Sequence, residues 1–388
     1  MKGIDPAFDF ITDESSILIH QSKAEVHIGQ NIYTGNGEVR LELLPHADIR
    51  TYGYFQGVPA KDALYAISGQ TEIPFFSIGG RQIDGFRLSG GGDVDSQELN
   101  LKWCPKAEPV RVVGDETTQM SSLIFHLFNF VDLIGTRRST QQNGSAMHGI
   151  EHVDLVSDQW QVELKSLLST REAMKKLNEE GGYRLTHVGG VKRADSTTFS
   201  GTDAQECLRA LRYFLSFAKG GWCEPVCAVG FDETGNRVWE SWSSPREPWH
   251  VPLSWFDPHT GSQLAILFPT FMKKWENADW RDALDEVIYW YLNANHSPRG
   301  IDAGIILTQA AIERLSYEYV VKDKRLLLLT GFKDLWASDK FRLLFSSLRI
   351  PLEIPKETPE LSKLANDFKW VDAPHALTEI RNSLVHPE

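Results

Sequence analysis

Asp372-Ala-Pro-His-Ala-Leu-Thr-Glu-Ile-Arg381-Asn382-Ser-Leu-Val-His386-Pro387 decides the class of the C-terminal third of this chain. Asp372 is a helix N-cap residue, and Pro374 suits the first turn, where a backbone N–H is not needed. Ala376, Leu377, Ile380 and Leu384 recur on one face with the helical period. Pro387 disfavours the α conformation at His386, so the helix is predicted to stop there. Upstream, the same period runs over Asp279–Ala294, Asp302–Tyr319, Asp334–Leu348 and Leu361–Phe368, the last after a proline-studded link, Pro351–Pro359. Four or five helices, each with one apolar face, predict a bundle over residues 276–388.

Residues 1–270 carry another pattern. Short alternating segments, Ser16–His20, Ala24–Ile28, Val39–Leu44, Ile73–Ile78, Gln82–Leu88 and Glu98–Trp103, are separated by turn-formers such as Gly35-Asn-Gly37 and Gly90-Gly-Gly-Asp93. They predict antiparallel β-structure, a sandwich or a partly open barrel. Met120–Ile134 reads as a buried helix, followed by a polar loop over 135–144. Strands at Trp160–Leu167 and Tyr183–Lys192, helices at Ser169–Glu180 and Asp203–Ala218, and a hairpin across Asp232-Glu-Thr-Gly-Asn236 complete a mixed region. A Pro-rich stretch, Pro245–Pro269, is the expected link to the bundle. The fold class is therefore α+β and multidomain. A β-rich, mixed region over 1–270, with a candidate split near 155, precedes an all-α bundle over 276–388.

With 41% hydrophobic and 24% charged residues among 388, the composition is globular. No apolar stretch reaches the roughly 20 residues that span a bilayer, and the N-terminus lacks the charged-then-apolar order of an export signal, so a cytoplasmic location is expected. Cys104, Cys207, Cys223 and Cys227 are too few and too irregular for a disulfide framework; Cys223 and Cys227 read as core thiols rather than a zinc site. His148-Gly-Ile-Glu-His152 has a metal-friendly spacing, but a solvated loop is the simpler reading. Trp239, Trp242, Trp249 and Trp255 read as core in preference to a ligand platform. No metal and no cofactor is expected. The net charge of −12 excludes a broad basic face for DNA or RNA, and residues 276–388 hold 14 Lys and Arg against 18 Asp and Glu. Any RNA contact must therefore be local. Arg137, Arg138, Lys192 and Arg193 are the compact basic spots of the N-terminal region and candidate phosphate contacts, with exposed loop charge as the alternative.

Arg381, a polar neighbour, and His386 after a four-residue gap match the motif of HEPN domains. Ser338–Pro351, Leu361–Phe368 and Ala376–Asn382 are similar to bacterial HEPN proteins of the ApeA-like kind, which join a β-rich N-terminal region to a C-terminal HEPN bundle. The resemblance covers residues 276–388. It implies a homodimeric, metal-independent endoribonuclease with a toxin-like or antiphage role, in which the N-terminal region senses a trigger. It also implies that Arg381 clamps the scissile phosphate, His386 moves the proton and Asn382 orients the cluster.

Helix geometry bears on this assignment. Asn382 and His386 are four apart and share a face, whereas Arg381 lies about 140° around the helix from His386, so two copies close on a phosphate better than one. The negative end of the helix dipole favours the imidazolium, which makes His386 the expected general acid. The alternative is a non-catalytic HEPN module for dimerisation or for binding a nucleotide or other ligand. Only Pro387 and Glu388 follow His386, so both a natural end and a truncated helix stay open.

Overall fold

The computed structural model of the protein describes residues 4–10, 15–68, 76–93, 96–143, 146–251, 253–296 and 300–386. The first sheet has seven strands: β1 (Ser16–Ile28), β2 (Asn31–Glu42), β3 (Asp48–Gln56), β4 (Phe76–Ile78), β5 (Arg81–Gln82), β6 (Gly85–Gly91) and β7 (Glu98–Pro105). Their order is β5-β4-β1-β2-β3-β7-β6, antiparallel throughout, with helix α1 (Ala60–Ser68) after β3. Alternation drives it, since Val39 and Leu41, Ile49 and Phe55, and Leu99, Leu101 and Trp103 all turn inward.

Two expectations fail in this sheet. Ser16–His20 and Ala24–Ile28 are one continuous strand, and Gly35-Asn-Gly37 lies inside β2 rather than at a turn. The glycines serve close approach: a Cβ on Gly35 would sit 2.1 Å from the Tyr54 carbonyl oxygen, and one on Gly37 2.8 Å from the Ala24 Cβ. The turn falls at Gly29-Gln30, where Gly29 has φ +61°. Gly90 and Gly91 likewise end β6, and Ile73–Phe75 lie outside the described residues.

A second seven-stranded sheet follows, built from β8 (Ser122–Phe128), β9 (Arg137–Asn143), β10 (Ala146–Val156), β11 (Trp160–Ser166), β12 (Leu185–Arg193), β13 (Val226–Phe231) and β14 (Arg237–Ser241). The order is β14-β13-β8-β12-β11-β10-β9. Helices α2 (Thr170–Glu180) and α3 (Gly201–Lys219) complete it. Met120–Ile134, expected as a helix, supplies central strand β8. Phe125, His126, Leu127 and Phe128 are all buried, so both faces of that strand are covered and alternation disappears. The expected loop at 135–144 is mostly edge strand β9, and His148–His152 lies on β10. Strands β10 and β11 pair from Val156–Gln161 outward, so the sheet runs unbroken past the candidate split near 155.

One apolar core joins residues of the first sheet, such as Ile17 and Val26, to Phe128, Leu185, Val226 and Trp242 of the second. Trp239 and Trp242 are fully buried, whereas Trp249 is half-buried and Trp255 is 40% exposed. All four cysteines are free, and burial pushes the thiols of Cys207 and Cys227 up.

Met1–Leu215, Trp222–Val251 and Phe256–Pro269 form one compact unit; Ser216–Gly221, Pro252–Trp255 and Thr270–Glu388 form the other. The helices after the sheets are α4 (Ser262–Glu276), α5 (Ala278–Ala294), α6 (Ile301–Tyr317), α7 (Leu329–Lys333), α8 (Ala337–Ser347), α9 (Pro359–Asp367) and α10 (Ala373–Val385). The expected Pro-rich link thus ends in a helix, with Pro269 inside α4. Burial of Leu264, Phe268, Phe271, Met272 and Trp275 on its apolar side offsets the lost backbone hydrogen bond. In the second unit α6 packs against α5, α8 and α10 around Ile288, Leu292, Ala311, Phe341, Leu344 and Ala376. Residues 318–323 continue α6 as a π-helical turn. Among the described residues no helix is long and apolar enough to cross a membrane.

Two buried histidines tie the second sheet to pH. His126 Nδ1 lies 3.0 Å from the Cys227 carbonyl oxygen and Nε2 accepts from Ala7 N–H at 3.0 Å, whereas among the described residues neither ring nitrogen of His187 has a hydrogen-bond partner. Burial pushes them down to about 4 and about 3. The unfolded chain therefore binds more protons below pH 6.5, so this stability is present above that value and is lost as the pH falls toward 3–4. The slope is at most about 1.4 kcal/mol per pH unit for each histidine. His187→Leu removes two orphaned polar atoms; it is expected to raise the urea midpoint at pH 7 and to flatten its decline toward pH 5. A lowered midpoint with an unchanged slope would contradict this.

Candidate functional site

Helix α10 is anchored at its start. The Asp372 carboxylate accepts from His375 N–H at 2.9 Å, capping the first turn, and Pro374 and Ala376 are buried behind it. Arg342 of α8 grips the same carboxylate with both arms of its fork, Nε to Oδ2 at 2.6 Å and Nη2 to Oδ1 at 3.0 Å. Burial alone would raise the Asp372 carboxyl, but the bonds from Arg342 and His375 N–H hold it below its ordinary value. Asp372→Ala is expected to destabilise the C-terminal unit by about 1–3 kcal/mol, seen as a lower urea midpoint. Arg342→Ala spares the cap and should cost less.

The far end carries the motif. His386 leaves the helical conformation, at φ −126° and ψ 69°, and its N–H donates to the Asn382 carbonyl at 2.8 Å. Arg381 Nη1 donates to the Asn382 side-chain oxygen at 3.3 Å. The side chains of Arg381 and Asn382 therefore meet, while His386 is joined to Asn382 through the backbone. Arg381 and Asn382 are half-buried, and His386 is exposed. Among the described residues Arg381 has no carboxylate partner. By contrast, Arg314, Lys322, Lys340 and Arg342 of the same unit are all ion-paired. Among the described residues the Arg381 guanidinium makes one side-chain hydrogen bond, to Asn382. Pro387 lies outside the described residues.

One turn before Arg381, Leu377 lines an apolar cleft of about 290 Å³ with Ile301, Ile305 and Phe341. Ile301 is 81% exposed.

The other basic candidates lie in the first unit and are largely occupied. Arg137 pairs with Asp154 and Glu163 at 3.2 and 3.0 Å, and Arg138 with Glu151 at 3.1 Å. Arg193 pairs with Asp203 and lies over the Trp160 ring at 4.1 Å. Lys192 is half-buried beside it on β12. Arg137 and Arg138 are strand charges matched across the sheet, and Arg193 is a strand charge matched by Asp203 of α3, not the loop charges expected. His152 is likewise spent, with Nδ1 2.9 Å from Glu163 and Nε2 2.7 Å from Ser139 Oγ. The side chain of His148 lies outside the described residues. Sequence reasoning missed Arg342, which is 30 residues from its partner and carries no local signal.

Residues 115–252 match the family model of the YopA central domain, and residues 277–388 match that of the YopA C-terminal domain. No solved structure matches the chain. Over 386 residues the chain is 26% identical to the SPbeta prophage-derived uncharacterized protein YopA of Bacillus subtilis (strain 168), spanning 96% of this chain and 82% of the relative. The protein is thus similar to YopA both in its second sheet and in its C-terminal helices.

Proposed function

We propose that this chain is a HEPN-type, metal-independent endoribonuclease assembled from two copies of its C-terminal unit. The observation that carries the reading is Arg381, a guanidinium with no carboxylate partner among the described residues, aligned by Asn382 one turn from the end of the helix that His386 closes. In the reaction the substrate's 2′-oxygen attacks phosphorus and the bond from phosphorus to the 5′-oxygen breaks. The imidazole of one copy takes the 2′-hydroxyl proton, and the imidazolium of the other gives its proton to the leaving 5′-oxygen. Arg381 neutralises the charge that builds on the phosphate oxygens.

Pairing suits both the offset of Arg381 from His386 around one helix and the open apolar cleft beside Leu377. The prophage origin of the relative fits a toxin-like or antiphage role inside a bacterial cell, with the β-rich region as the sensor that restrains the nuclease.

A second reading, a non-catalytic HEPN module that binds a nucleotide or partner, is favoured by the net charge of −12, which holds long RNA weakly. Expression separates the two. Induced wild type is expected to slow growth and degrade cellular RNA, and His386→Ala to do neither. Identical growth of both strains with intact RNA would leave the second reading standing.

A further inference from the structure

A cavity of about 490 Å³ opens in the first unit, walled by α3, the chain between the two sheets, and the segments flanking β13 and β14. On α3, Gln205, Arg209 and Arg212 share a stripe facing it; Arg111 enters from the chain before β8 and Arg246 from the chain after β14. Arginines from three separate segments, Arg111, Arg212 and Arg246 among them, thus line it beside two carboxylates, Glu108 and Glu224, in a protein whose overall charge is −12.

Neither carboxylate makes a hydrogen bond to an arginine among the described residues. Glu108 is spent on Ile49 N–H, Ser244 N–H and Ser244 Oγ–H. Glu224 lies 3.3 Å from Arg212 Nε, yet the two are too poorly aligned for a hydrogen bond. Arg111 gives one arm to Glu116 at 3.2 Å. Among the described residues, Arg111 Nε, Gln205 Nε2 and Arg212 Nε are buried donors without a hydrogen bond. The guanidinium groups of Arg212 and Arg246 are also held in place, 4.7 and 4.0 Å from the ring centre of Trp222.

We propose that this cavity binds a phosphorylated small molecule of nucleotide size. Planar forks converging from separate segments match phosphate oxygens. The volume lies within the range of small-molecule sites and exceeds what a bare phosphate fills, so the ligand carries an organic body, which Leu208 and Pro225 cover. The site stands apart from the nuclease reading, because binding is measured without cleavage.

The test is calorimetric titration of the full chain, carrying His386→Ala to silence cleavage, with ATP, GTP, AMP, GMP and inorganic phosphate. At least one nucleotide is expected to bind in the micromolar range, with inorganic phosphate about tenfold weaker or worse. Arg246→Ala and Arg212→Gln should each weaken that binding about tenfold or more. Arg246 is exposed, so its variant should melt like the parent and separates lost binding from lost folding. The proposal is overturned if no nucleotide binds below millimolar concentration, if inorganic phosphate binds as tightly, or if both arginine variants bind like the parent.

Discussion

His386→Ala is expected to cleave single-stranded RNA at least about a hundredfold more slowly than wild type in EDTA, and Arg381→Ala to lose at least as much. A positioned proton donor and a charge clamp on the transferring phosphate each supply rate factors of that order. Neither loss should come from unfolding. His386 is exposed beyond the last helical turn, and among the described residues the side-chain hydrogen bond that places Arg381 runs to Asn382. Circular dichroism spectra and urea midpoints of both variants should therefore match wild type. Arg381→Lys keeps the charge but not the fork and is expected to recover only part of the rate. Asn382→Ala leaves the backbone bond to His386 intact, frees Arg381 to turn, and should fall between wild type and Arg381→Ala. Wild-type rates from His386→Ala would remove the imidazole from the chemistry.

Arg314→Ala is expected to destabilise the C-terminal unit by about 3–5 kcal/mol, the largest stability effect anticipated in the helical bundle. Arg314 binds Glu286 at 2.7 Å and Glu318 at 2.8 Å, and the Glu318 side chain is only 1% exposed. Removing the guanidinium strands a buried carboxylate in the π-helical turn that extends α6. Because α6 is the helix against which α8 and α10 pack, the damage reaches the helix that bears Arg381 and His386. The cost lies in the uncompensated charge rather than in the lost pair, so adding Glu318→Met to Arg314→Met should restore most of the urea midpoint. A double variant as unstable as Arg314→Ala would contradict that cause.

Local chemistry made α10 legible. Asp372 and Pro374 mark its start, His386 its end, and the stripe of buried Ala376 and half-buried Leu377, Ile380 and Leu384 its apolar side. The hairpin across Asp232–Asn236 was equally plain, because the Asp232 carboxylate organises the turn through Thr234 and Asn236. β8 was not legible, since a strand buried on both faces carries the apolar run of a short helix. β9 hid for the opposite reason. Among the described residues it is an edge strand paired with β10, and its sequence Arg-Arg-Ser-Thr-Gln-Gln-Asn has no apolar alternation to betray it.

The motif residues were found because they sit within one helix. Arg111, Arg212 and Arg246 belong to one cavity wall yet lie far apart in the chain, so no spacing rule finds them. The same holds for the grip of Arg342 on Asp372.

The chemistry proposed for Arg381 and His386 leaves a signature on the product. Wild-type protein, freed of divalent ions, is to be incubated with an end-labelled RNA and the new termini identified by mass spectrometry, with His386→Ala in parallel. Attack by the 2′-oxygen yields a 2′,3′-cyclic phosphate on one fragment and a free 5′-hydroxyl on the other, both absent from the variant. RNA left whole in EDTA, or fragments ending in 5′-phosphate and 3′-hydroxyl, would contradict a guanidinium and an imidazole acting on the phosphodiester without metal.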